Sequence, residues 1–169
     1  MTKARFDKSF ARFFRFRGDS RQADPDFSLA VIDIRVLTFV DPVVTATLSL
    51  RRGARVLAIH RTIMQDEIVV YHYMSYLSHA EFGELSKADI ENSVLYDVLE
   101  IKFDVHIVRA TKTLQARAAS AQDAEILQIR REEPVIAVER VAYTYHEQPV
   151  EFRRTIGRSD TFRYEIQLS

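Results

Sequence analysis

Glutamate and arginine crowd one run that otherwise has the composition of a core strand. From Pro149 onward, Glu151, Arg153, Arg154 and Arg158 stand where an interior strand would carry valines. A carboxylate among guanidiniums supports three kinds of chemistry: general acid–base machinery, an internal ion-pair network, or a pocket that recognises an anion or a polyol. Arg61 raises the same question. Alternation over residues 56–64 puts Leu57, Ile59, Arg61 and Ile63 on one face. A guanidinium on an apolar face needs an internal carboxylate, a ligand anion, or a route to water along its own stem.

Other chemistries are excluded or weakly signalled. The chain has no glycine-rich phosphate loop, no Gly-x-Ser-x-Gly elbow and no His-Glu-x-x-His pair, and its 4 glycines argue against a dinucleotide fold. With 0 cysteines there are no disulfides, thiolate metal sites or cysteine nucleophiles. The histidines, His60, His72, His79, His106 and His146, show no ligand spacing on one helix, so no metal and no cofactor is expected. His72, between Tyr71 and Tyr73, reads as a sheet residue. Phe10, Phe13, Phe14 and Phe16 alternate with Arg12, Arg15 and Arg17. That pattern suits base stacking on single-stranded nucleic acid, but a formal net charge of +0 favours an edge strand packing its phenylalanines on a core. No apolar run approaches the roughly 20 residues that span a bilayer, and the first residues lack the apolar core of a signal peptide. The expected location is the cytoplasm, without membrane contact.

The elements that must position these residues follow from periodicity and turn chemistry. The length of 169 residues and 47% hydrophobic content allow one domain with a real core. Residues 1–27 read as an N-terminal edge strand and loop, and residues 28–169 as the main domain. Strands are expected at 28–39, 56–64, 68–77, 103–114, 134–145, from 149, and at 162–168. Asp41 before Pro42 predicts a helix to about residue 50. Ser78 looks like a helix cap, residues 87–102 carry helical spacing of Ile90, Val94, Leu95, Val98 and Leu99, and Ser120 opens another helix. This order predicts an α+β fold with a mostly antiparallel sheet and helices packed on it.

The chain also repeats. Leu48, Arg51, Arg52, Val56, Ala58 and Arg61 have identical, in-register partners in Leu127, Arg130, Arg131, Val135, Ala137 and Arg140. Two pseudo-repeated halves are expected, each a helix, a strand, a turn and a returning strand.

Several phrases together resemble the UTRA domain, the effector-binding module of HutC-type regulators in the GntR family. Val94-Leu95-Tyr96-Asp97-Val98-Leu99 is similar to that family's S-L-Y-x-x-L helix. Glu133-Pro134-Val135 through Arg140, and Gln148-Pro149-Val150-Glu151-Phe152, resemble its second hairpin; Arg158-Ser159-Asp160 leads into its closing segment. Upstream, Leu50-Arg51-Arg52-Gly53, Ile59-His60-Arg61 and Ser75-Tyr76-Leu77 match its first half. The resemblance implies a chorismate-lyase-like fold without the lyase's catalysis, a small-molecule effector, a homodimer, and contact with operator DNA through an N-terminal winged-helix domain expected outside this chain.

Carried over position by position, the resemblance implies effector contacts from Arg61, Tyr73, Ser93, Tyr96, Glu151, Arg154 and Arg158, and no catalytic residue. The departures matter. Where sugar-phosphate binders have an R-x-R, this chain has Arg61-Thr62-Ile63. Val94 replaces the serine that opens the family's helix, with Ser93 one residue earlier, and Tyr73 replaces an expected carboxylate. One lost arginine and one lost acceptor favour an organic acid or a phosphonate-like effector over a sugar phosphate. A dimerisation module without a ligand, which would satisfy Arg61 and Glu151 with each other, and a chorismate-lyase-like enzyme are the rival expectations.

Overall fold

The computed structural model describes residues 27–91 and 93–161. They form a six-stranded antiparallel sheet in the order β1-β2-β3-β6-β5-β4. The strands are β1 (Phe27–Leu37), β2 (Val56–Gln65), β3 (Ile68–Ser78), β4 (Arg109–Ala118), β5 (Pro134–Tyr143) and β6 (Pro149–Arg158). Five α-helices accompany them: α1 (Pro42–Thr47), α2 (His79–Phe82), α3 (Lys87–Ile90), α4 (Leu95–Phe103) and α5 (Ala121–Leu127). The α+β architecture is the expected one. No helix among the described residues is long and apolar enough to cross a membrane. The strands expected at 10–17 and 162–168, and the loop at 18–26, lie outside the described residues.

The repeat is visible in the topology and is one strand longer than the sequence match. Each half runs strand, helix, strand, strand: β1-α1-β2-β3 and β4-α5-β5-β6. The halves meet at β3 and β6, where Met74 pairs with Arg154, flanked by Tyr73 opposite Thr155 and Ser75 opposite Arg153. Arg61 pairs with Tyr73, and Arg140 with Arg153. A pseudo-twofold through the Met74–Arg154 pair therefore maps Arg61 onto Arg140, Tyr73 onto Arg153, and Tyr71 onto Glu151.

The helices divide between the faces. Val44 and Leu48 from the α1 segment pack with Val56, Tyr76 and Phe152, while Ala124 and Leu127 of α5 pack with Val135 and Ile156. Because side chains alternate along a strand, these partners lie on one face. The other face, with Leu57, Ile59 and Leu77, is covered by Phe82, Leu85, Ile90, Leu95 and Leu99 from α2–α4.

Several boundaries differ from expectation for local reasons. The expected helix over 87–102 is two helices, because Val94 takes an extended conformation (φ -71, ψ 126) and breaks the run before α4. Asp104 ends α4 in the left-handed region (φ 54), so the next strand starts at Arg109, and His106 lies in the connection near Glu100 and Asp104. Asp41 caps α1 through the Val43 N–H, as expected, but α1 stops at Thr47. Ser78 makes no side-chain cap bond; reciprocal capping boxes occur instead at Ser86/Asp89 and Ser120/Asp123.

Candidate functional site

Four neighbouring strands put residues of one parity on the face covered by α2–α4: Arg61 from β2, Tyr73 and Ser75 from β3, Glu151 and Arg153 from β6, and Arg140 from β5. Arg61, Arg140 and Arg153 are 1%, 2% and 5% exposed, and Glu151 is 0% exposed, so the charges are held away from water and must be partnered.

Glu151 is the hub. Its Oε1 accepts from Ser75 Oγ at 2.5 Å and from Arg153 Nε and Nη2 at 2.9 and 2.7 Å. Its Oε2 accepts from the Tyr96 hydroxyl of α4, which also accepts from Arg140, and Arg140 Nη1 lies 3.6 Å from the same carboxylate oxygen. Burial opposes the charge on Arg153, but the Glu151 carboxylate together with the neighbouring Tyr73 and Tyr71 outweighs that and raises its pKa. Aromatic faces complete the cage: the Arg153 guanidinium lies 4.5 Å from the Tyr73 ring centre, and that of Arg140 4.9 Å from Tyr96. Burial pushes the neighbouring Tyr71 phenol up, so it stays a neutral donor.

Arg61 is held differently. It donates to the carbonyls of Ile90 and Ser93, the latter at 2.8 Å, and to the Tyr73 hydroxyl at 3.4 Å. All three acceptors are neutral, and Nε has no hydrogen-bond partner among the described residues. The Ile90 carbonyl ends α3, and that of Ser93 lies in the connection directly before α4. The first helical N–H groups there, those of Leu95 and Tyr96, have no intrahelical acceptor. A buried cation and the positive end of a helix thus converge at Ser93, an arrangement suited to an anion.

Of the expected contacts, Arg61, Tyr73, Tyr96 and Glu151 come together, and Ser93 joins through its carbonyl. Arg154 and Arg158 do not. They have the opposite parity on β6: Arg154 bonds Asp41 and Glu139 near the surface, and Arg158 bonds Asp160 and the Leu127 carbonyl. Arg140, Arg153 and Ser75 take their place. The signals were in the sequence, since Arg153 has the parity of Glu151, and Arg140 is the repeat partner of Arg61.

The UTRA domain family model matches residues 27–163. The HTH-type transcriptional repressor NagR of Bacillus subtilis (strain 168) is 21% identical over 164 residues, covering 97% of this chain and 67% of that protein. Among solved structures, the ligand-binding domain of a protein assigned to the GntR family of transcriptional regulators from Bordetella bronchiseptica superposes with a TM-score of 0.86 at 28% identity, covering 94% of this chain and 98% of that one. A GntR-family transcriptional regulator from Enterococcus faecalis V583 shares the fold, with a TM-score of 0.77 at 23% identity over 83% of this chain and 100% of that one.

Proposed function

From the premise that this chain belongs to the UTRA domain family, we propose that it is the sensing domain of a GntR-type regulator whose effector is an anionic metabolite. Arg61 carries the proposal. It is a guanidinium 1% exposed, with only neutral acceptors and an unpartnered Nε among the described residues. A buried charge is costly without a counter-charge, and an effector carboxylate or phosphonate beside Ser93 would supply one. Ile63 in place of a second arginine favours an organic acid or a phosphonate over a sugar phosphate. The effector would bind in the cytoplasm to a homodimer and change its affinity for operator DNA by about 1–3 kcal/mol of coupling, the DNA being held by a winged-helix domain outside this chain. The exposed side chains Ile32 and Val36 on β1, Phe39 in the connection and Val43 on α1 support a contact with a second copy.

A thermal-shift panel of organic acids, phosphonates, amino acids and sugar phosphates tests this. A ligand at 100 times its Kd adds about 2.7 kcal/mol, and Arg61→Lys, which keeps the charge but loses the planar fork, should remove most of that shift. Tight sugar-phosphate binding with no response to acids would discard the proposed effector class. A flat panel would favour a dimerisation module without ligand; both Glu151 oxygens are satisfied internally, but by Ser75, Tyr96 and Arg153 and not by Arg61 as that reading expected.

A further inference from the structure

The opposite face of the sheet carries a second polar arrangement that the effector site does not use. His72 on β3 is 9% exposed. Its Nε2 lies 3.3 Å from Asp123 Oδ1, and its Nδ1 lies 3.2 Å from Nε2 of His60 on β2. Asp123 is locked in turn. Its Oδ2 accepts from the Ser120 N–H and hydroxyl in the α5 capping box, at 3.0 and 2.7 Å, and sits 2.9 Å from Arg117 Nη1. Burial raises the Asp123 pKa, but these donors outweigh it and hold the group ionised. An ionised carboxylate only accepts, so His72 carries its proton on Nε2 and turns the lone pair of Nδ1 toward His60.

We propose that His60 Nε2 and His72 Nδ1 form a two-histidine site for a zinc-class transition-metal ion, with Asp123 as the carboxylate that orients His72. The geometry supports this in two ways. Two zinc–nitrogen bonds of about 2.0–2.1 Å at a tetrahedral angle place their nitrogens about 3.3 Å apart, and these lie 3.2 Å apart. A carboxylate on the far nitrogen of a ligating histidine is the usual outer support of such sites. Binding needs only that the His60 proton move to its Nδ1. No third histidine or carboxylate among the described residues completes the set, so water takes the remaining positions. The metal would be an exchangeable second ligand, one residue along β2 from Arg61 but on the other face.

Calorimetric titration with zinc chloride at pH 7.5, with magnesium chloride as control, tests the site. The expected result is one zinc per chain and no response to magnesium. Zinc binding should be lost in His60→Gln, a half-buried position whose replacement spares the core, and weakened about 10–100-fold in Asp123→Asn. Arg61→Lys should leave it unchanged, which separates this site from the effector site. Absence of saturable zinc binding, or binding that survives His60→Gln, would overturn the proposal.

Discussion

Glu151 and Glu139 both pair with arginine, and burial separates them. Glu151 is fully enclosed and serves Arg153, Arg140, Ser75 and Tyr96, whereas the Glu139 side chain is 50% exposed and meets Arg154 at 3.0 Å. Glu151→Gln leaves buried guanidiniums without their carboxylate and is expected to cost about 3–5 kcal/mol in urea denaturation. Glu139→Gln should cost under about 1 kcal/mol, because water screens an exposed pair. His72 makes a prediction in pH. Its folded pKa of about 4 lies below the unfolded value of 6.5, so between those values the unfolded chain binds more protons. Its contribution is therefore complete above about pH 6.5 and is lost as pH falls toward 4, on the order of 3 kcal/mol in all. Denaturation with a chelator present should show this fall in the parent chain and a shallower one in His72→Gln.

At the scale of elements, the α3–α4 connection is the part most plainly shaped by its site. Val94 occupies the N-cap of α4 with extended geometry and no side-chain cap bond. Val94→Ser supplies the missing acceptor and should raise stability by about 0.5–1 kcal/mol, seen as a higher Tm. Ser120→Ala is the converse case. It removes the α5 capping box and one restraint on Asp123, and should cost about 1 kcal/mol. The single helix expected over 87–102 rested on periodicity in its apolar residues, which a short break leaves nearly intact. The competing preference of a β-branched Val94 for extended backbone prevails there, with Arg61 binding the carbonyls the break exposes.

For the whole molecule, the order of strands sets the order of stability. β3 and β6 are central and join the two halves, while β1 and β4 are edges, and β4 has no buried residue. Hydrogen exchange should find the β3 and β6 amides opening only with global unfolding, and the β4 amides opening locally at much lower free energy. Equal protection across all six strands would contradict that gradient. The central seam also explains why a site made of duplicated strands is not itself symmetric. Tyr71 and Tyr73 stand in the first half where Glu151 and Arg153 stand in the second, so one half contributes most of the charge and the other most of the aromatic surface.

The hairpins, the α+β class, the duplication, and the placing of Arg61 on an apolar face were legible in the sequence alone. Alternation, turn residues and repeats act over a few residues, so a linear reading contains them. The same parity rule separates Glu151 and Arg153 from Arg154 and Arg158 once the extent of β6 is known. Tertiary structure alone decided which groups meet Arg61 and His72. The acceptors of Arg61, Ile90 and Ser93, come from the end of one short helix and the connection to the next. The carboxylate of His72, Asp123, arrives on a helix of the other half. No local pattern encodes such meetings, because they depend on the order in which strands join and on the face each connection covers.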